Sequence, residues 1–141
     1  MHRFSLRDKA SVSDARRLIR ADLQRVGADP SILFDCLVAV TEACTNALLH
    51  GRSRSQEELS PVLAWSIDED KACFHIEDYS SEGWSRARHP SRGSVTTQVE
   101  DLHVGGLGLG LMRDLMDEVD IEKGSDGTRV YLAKVLGAPS S

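Results

Sequence analysis

Between Cys36 and Leu49 the chain reads CLVAVTEACTNALL, fourteen residues whose only charge is Glu42. Asp29 and Pro30 precede this run as a helix start, with Asp as N-cap and Pro in the first turn. Leu33, Leu37, Val40, Cys44, Ala47 and Leu48 recur at helical spacing as far as Gly51, so the segment predicts one long helix with an apolar stripe. Such a stripe has to be covered by a second layer, and the flanking sequence supplies the parts. HRFSLR alternates as a short first strand. A helix opening at Ser11, with Asp14 at capping-box spacing, carries Ala15, Leu18, Ile19, Leu23 and Val26 and ends at Gly27. VLAWSID and ACFHIED flank a polar turn at residues 68–71 and read as a hairpin. Residues 79–106 keep no period, Leu107 to Val119 is helical by spacing, and VDIEK with TRVYLAKVL forms a second hairpin.

The order β-α-α-β-β-loop-α-β-β describes one domain over residues 1–141, an α/β (α+β) two-layer sandwich with helices on one face of a mixed, mostly antiparallel sheet. Bulk properties exclude several function classes. A formal charge of -5 argues against a general nucleic-acid binder, which needs basic groups to neutralise phosphates. No apolar run reaches the ~20 residues of a membrane helix, and the N-terminus shows no signal-peptide stretch, so a cytoplasmic protein with no membrane contact is expected. Cys36, Cys44 and Cys73 lack metal-type spacing and read as buried, reduced thiols.

Two motifs carry chemistry. Glu42 and Asn46 are four residues apart, so they project from one helix face, and His50 continues that line. A solvated face normally carries several cations; this one carries threonines, one carboxylate and one amide, which suits the wall of a cleft. A carboxylate can accept a proton from an attacking hydroxyl, and an amide oxygen can hold Mg²⁺ beside phosphate oxygens. The second motif is the glycine ladder VGGLGLGLM, ahead of the third helix. Gly105 and Gly106 suit a hinge, and Gly108 and Gly110 let backbone amides at a helix N-terminus approach an anion. A dinucleotide-binding turn would need a strand directly before the glycines and a βαβ unit around them, and neither is present in the pattern.

VTEACTNALLHG, a hairpin ending in an aspartate, GGLGLGLMRDLMDEV and GTRVYLAK occur in the order of the Bergerat ATP-binding fold shared by gyrase, histidine kinases and MutL. Within that superfamily the chain resembles the small bacterial anti-sigma factors that are also serine protein kinases. The resemblance implies an ATP- and Mg²⁺-dependent enzyme that binds a sigma factor and phosphorylates a STAS-domain anti-anti-sigma protein, acting as a homodimer. It implies Glu42 as general base, Asn46 as Mg²⁺ ligand, Asp78 as acceptor for the adenine amino group, and Thr128 as its assistant at the base. Gly106, Gly108 and Gly110 fall at the nucleotide phosphates, residues 79–106 become an ATP lid, and Arg20 becomes the contact for an acidic partner. One departure stands out: the family pattern Asp-x-Gly-x-Gly here reads DYSSE, with Ser80 and Glu82 at the glycine positions. That departure motivates the alternative of a catalytically weak or inactive switch module that acts by protein binding only.

Overall fold

A computed structural model describes residues 2–50, 60–79, 106–124 and 127–137. In chain order the elements are β1 (His2–Ser5), α1 (Lys9–Arg25), α2 (Pro30–His50), β2 (Val62–Ile67), β3 (Lys71–Tyr79), α3 (Gly106–Leu115), β4 (Glu118–Gly124) and β5 (Gly127–Val135). The expected element order is therefore present. The strands form one sheet in the order β1-β2-β3-β5-β4. Each neighbouring pair is antiparallel, so the sheet has no parallel component among the described strands.

Local sequence explains the boundaries. The N-cap of α1 is Asp8, not Ser11: Asp8 Oδ1 accepts the Ser11 N–H at 3.0 Å, while Ser11 Oγ accepts the Arg7 and Asp8 N–H groups. The capping box exists, one turn earlier than the expected Ser11–Asp14 pair. At the other end Gly27 adopts φ 77°, which favours glycine, and the Ala28 N–H donates to the Leu23 carbonyl at 3.0 Å. The β2–β3 turn is fixed by Asp68, whose Oδ1 accepts the Asp70 and Lys71 N–H groups at 2.8 and 3.0 Å. The third helix is shorter than its periodicity implies. It stops at Leu115, and Val119 enters the core from β4. The Asp117 N–H leaves the helix for the Ala133 carbonyl at 2.9 Å, and Lys134 caps this end, its ammonium donating to the Leu115 carbonyl at 2.5 Å and pairing with Asp35 of α2 at 3.3 Å.

The core lies between the sheet and α2. Cys36, Ala39, Val40, Ala43, Cys44 and Ala47 of α2 meet Leu63, Trp65, Phe74, Ile76 and Leu132 of the sheet, with Ile19 and Leu23 of α1 and Met112 of α3 at the flanks. Fully burying a side chain such as Ile19 or Leu23 is worth about 1.5–3 kcal/mol. Leu18 departs from the expected stripe; it is 47% exposed on the outer side of α1. The stretch Pro30–Leu49 is apolar and long enough by composition to cross a membrane, contrary to the expectation from the sequence. One side of it, Cys36, Leu37, Ala39, Val40, Ala43, Cys44 and Ala47, is packed in this core, while Phe34 and Leu49 are exposed. Cys36 and Cys44 are buried, and burial pushes both thiols up to about 12. Cys73 is only half-buried, and its sulfur accepts the Tyr131 hydroxyl at 3.4 Å on the face of the sheet away from the helices.

Candidate functional site

The central strands bring the first pair of expected residues together. Asp78 closes β3 and Thr128 opens β5, and the two are direct partners in the antiparallel register. The backbone N–H of Thr128 donates to Asp78 Oδ1 at 3.1 Å. That bond orients the Asp78 carboxylate, which suits a recognition contact with a base edge. Arg129, next along β5, pairs with Glu77 and Glu122 at 3.2 and 3.5 Å on the opposite face. The alternation of the strand thus sends Thr128 and Arg129 to different faces.

Helix α2 lies against β3 and β5 and supplies the second pair. Glu42 and Asn46 are both half-buried and stand about 6 Å apart along the helix axis by helical rise. Val40 and Cys44, on the other side of the helix, are buried, as the apolar stripe implied. Glu42 and Asn46 make no side-chain hydrogen bond or ion pair with the described residues. By contrast their neighbour Thr41 returns its hydroxyl to the Leu37 carbonyl at 2.6 Å. Glu42 and Asn46 therefore keep their polar atoms available to solvent or to a ligand.

Gly106, Gly108 and Gly110 all lie inside α3, in its first two turns, and α3 packs beside α2. The helix begins one residue earlier than the spacing implies, so the ladder is the start of the helix itself. Gly110 is open: a Cβ placed there meets nothing within 4 Å. Gly105, the expected lid over residues 79–106 apart from its two ends, and Ser80 and Glu82 lie outside the described residues, as does the His50 side chain.

Helix α1 separates its arginines into two kinds, a division that the sequence does not reveal. Arg17 pairs with Asp14 at 3.0 Å, and Arg25 pairs with Asp22. Asp22 also accepts the Trp65 indole N–H at 2.8 Å and faces His2 at 3.3 Å, which fixes α1 to β1 and β2. Arg16 and Arg20 have no ion pair among the described residues and line a groove between α1 and α2 of about 810 Å³. The Nε of Arg16 is buried there without an acceptor among the described residues, a condition that costs about 1–3 kcal/mol when it is left unrelieved. Leu33, Phe34, Leu37, Val38, Thr41 and Glu42 form the α2 wall of the same groove. By sequence all four α1 arginines read as one exposed cationic face; here Arg20 is exposed, while the Arg16 Nε is buried.

Residues 6–134 match the histidine kinase-like ATPase domain family. The serine-protein kinase RsbW of Bacillus pumilus is 34% identical over 126 residues, which cover 84% of this chain and 77% of that protein. The anti-sigma F factor of Clostridium perfringens is 32% identical over 113 residues, or 77% of each chain. This chain belongs to the anti-sigma factor and serine-protein kinase family of the histidine kinase-like ATPases. Solved structures share its fold. The RsbU and RsbW domains of a Mycobacterium tuberculosis protein superpose with a TM-score of 0.66 at 20% identity, covering 99% of this chain and 34% of that one. The SiaB–SiaC complex of Pseudomonas aeruginosa gives a TM-score of 0.60 at 15% identity, covering 96% of this chain and 88% of the matched one.

Proposed function

We propose that this chain is an ATP-dependent serine protein kinase and anti-sigma factor, which holds a sigma factor and phosphorylates its STAS-domain antagonist in the cytoplasm. The observation that carries the reading is Glu42, a half-buried carboxylate without a partner among the described residues, one helical turn from Asn46, which has none among them either. The donor set fits a magnesium nucleotide. Asp78, oriented by the Thr128 N–H, offers an acceptor to the adenine amino group, and the Thr128 hydroxyl assists at the base. The Asn46 amide oxygen suits Mg²⁺, which keeps several waters and takes few protein ligands. Gly106, Gly108 and Gly110 start α3, whose free N–H groups and dipole favour phosphate oxygens.

When bound, Mg-ATP supplies the phosphoryl group that a serine hydroxyl accepts. Glu42 takes the hydroxyl proton as the oxygen attacks, and positioning of this kind is worth about 10²–10⁴ in rate. The phosphoserine carries nearly two negative charges at the docking surface, which weakens the complex and releases the kinase to hold sigma. The working form is a homodimer.

The test is incubation with Mg-ATP and a STAS-domain anti-anti-sigma protein from the same organism, followed by mass spectrometry for phosphoserine. Phosphoserine made by the wild type and lost in Glu42→Gln supports the reading; equal yields from both proteins overturn it. A second reading rests on Ser80 and Glu82 at the family's glycine positions. In it, the chain binds its partners without phosphoryl transfer, and wild type and Glu42→Gln both leave the STAS protein unmodified while forming a complex with it.

A further inference from the structure

Strand β5 is an interior strand of the sheet, and its alternation places Lys134 on the same face as Val130 and Leu132, which pack in the core. A lysine is the least expected residue at such a position, and only 15% of its side chain is exposed. Its ammonium reaches two helices at once. It donates to the carbonyl of Leu115, the last residue of α3, at 2.5 Å, and it pairs with Asp35, in the second turn of α2, at 3.3 Å. The neighbours of Lys134 on β5 hold the same end of α3: the Asp117 N–H donates to the Ala133 carbonyl at 2.9 Å, and the Val135 N–H donates to Asp117 Oδ2 at 2.6 Å. Stability alone does not account for the ion pair, because apolar side chains of similar volume commonly serve as well. At its other end α3 has Gly106, Gly108 and Gly110, which offer no side chains to lock it against α2. The two helices pack side by side. From Asp35 to Asn46 is about 16 Å of helix, and from Leu115 to Gly106 about 14 Å, both by helical rise. With one ammonium holding Asp35 and Leu115 together, the glycine start of α3 falls level with Asn46.

We propose that Lys134 is a positioning residue for the triphosphate: by clamping Asp35 to Leu115 it sets the level of α3 against α2, so that the N–H groups at the start of α3 and the Asn46 amide act on the same phosphates. The proposal rests on the assignment of Asn46 and the glycines to Mg-ATP in the kinase reading. Recognition of the base does not pass through the clamp, since Asp78 and Thr128 face each other on β3 and β5. Loosening the clamp therefore weakens the hold on the phosphates and leaves the hold on adenine intact. Phosphoryl transfer is sensitive to the same displacement, because a shift of about 1 Å in a reacting group costs on the order of a hundredfold in rate.

The experiment compares the full-length wild type with Lys134→Met/Asp35→Leu and with Trp65→Phe, measuring Mg-ATP binding by calorimetry, AMP binding by NMR titration, and the melting temperature. The double variant exchanges both charges for apolar side chains, so the fold is kept. Its Kd for Mg-ATP is expected to rise about tenfold while that for AMP stays unchanged. Trp65→Phe loosens α1 and reports the effect of lost stability alone; it should bind both nucleotides as the wild type does. With a STAS-domain anti-anti-sigma protein from the same organism, kcat of the double variant should fall by about tenfold or more with the KM for that protein unchanged. Unchanged Mg-ATP affinity in the double variant overturns the proposal. Equal losses for Mg-ATP and AMP, or equal losses in the double variant and Trp65→Phe, also overturn it. If the double variant does not fold, Asp35→Asn decides, since it removes one arm of the clamp without adding bulk: a loss of about threefold for Mg-ATP alone supports the clamp, and unchanged affinity overturns it. If the wild type binds Mg-ATP but makes no phosphoserine, the kinase reading fails, while a loss confined to Mg-ATP in the double variant still supports the clamp. A wild type that does not bind Mg-ATP overturns both.

Discussion

The two carboxylates of the site are treated in opposite ways by the fold. Asp78 sits at the end of a central strand and is gripped by the backbone of the next strand through the Thr128 N–H. Glu42 sits on a helix, half-buried on a groove wall, with no partner among the described residues. A group that recognises a fixed base edge gains from being locked before the ligand arrives, because the ordering is done in folding. A group that must take a proton needs its lone pairs available to the incoming hydroxyl. The same residue type thus does two jobs, and the difference lies in what each touches.

Substitutions that break this contrast should separate binding from chemistry. The largest effect is expected for Glu42→Gln, which keeps the shape and removes the base: phosphoserine formation should fall by about 10²–10⁴ in single-turnover assays. Next comes the frame that holds the groove's first wall. Trp65→Phe removes the indole donor to Asp22, leaving that carboxylate only His2 and Arg25, and should lower unfolding free energy by about 2 kcal/mol in urea titration. Thr128→Ala is a sharper and smaller probe. The bond to Asp78 comes from the backbone, so the carboxylate keeps its orientation, and ATP affinity should drop by less than about tenfold.

The smallest expected effect is a pH slope on the far face of the sheet. Burial lowers the His75 pKa below its usual value, despite Glu77 nearby, and its ring packs 4.9 Å from Tyr131. A histidine depressed on folding binds more protons when unfolded, so its contribution is present above about pH 6.5 and is lost as pH falls through the folded value. His75→Gln should flatten the stability profile between pH 7 and 5 in thermal melts while leaving ATP binding alone.

Much of this was legible in the sequence because it was local or periodic. The stripe from Leu33 to Leu48, the turn at Asp68 and the glycine at position 27 each point to one structure, and the chain adopts it. Asp8 was missed because Asp8 and Ser11 cap each other reciprocally, and a single sequence reads equally well from either residue. Val119 falls at helical spacing from Met112 and Leu115 by coincidence, while the groups that take over at the helix end, Ala133 and Lys134, lie far along the chain. Of the site, the Glu42–Asn46 line was readable as an absence of cations. The burial of the Arg16 Nε was not, since it depends on where α2 lies against α1. The Trp65–Asp22–His2 cluster was hidden for the same reason: its members lie on three elements, and Trp65 and Asp22 are 43 positions apart.

The division between recognition and chemistry is tested most directly by ATP calorimetry on Asp78→Asn and Glu42→Gln side by side. Glu42→Gln should bind Mg-ATP as the wild type does, while Asp78→Asn should lose about ten- to a hundredfold in affinity, the worth of a hydrogen bond to a charged acceptor. Asp78→Asn binding with wild-type affinity, or Glu42→Gln losing as much as Asp78→Asn, would contradict the assignment of the two carboxylates.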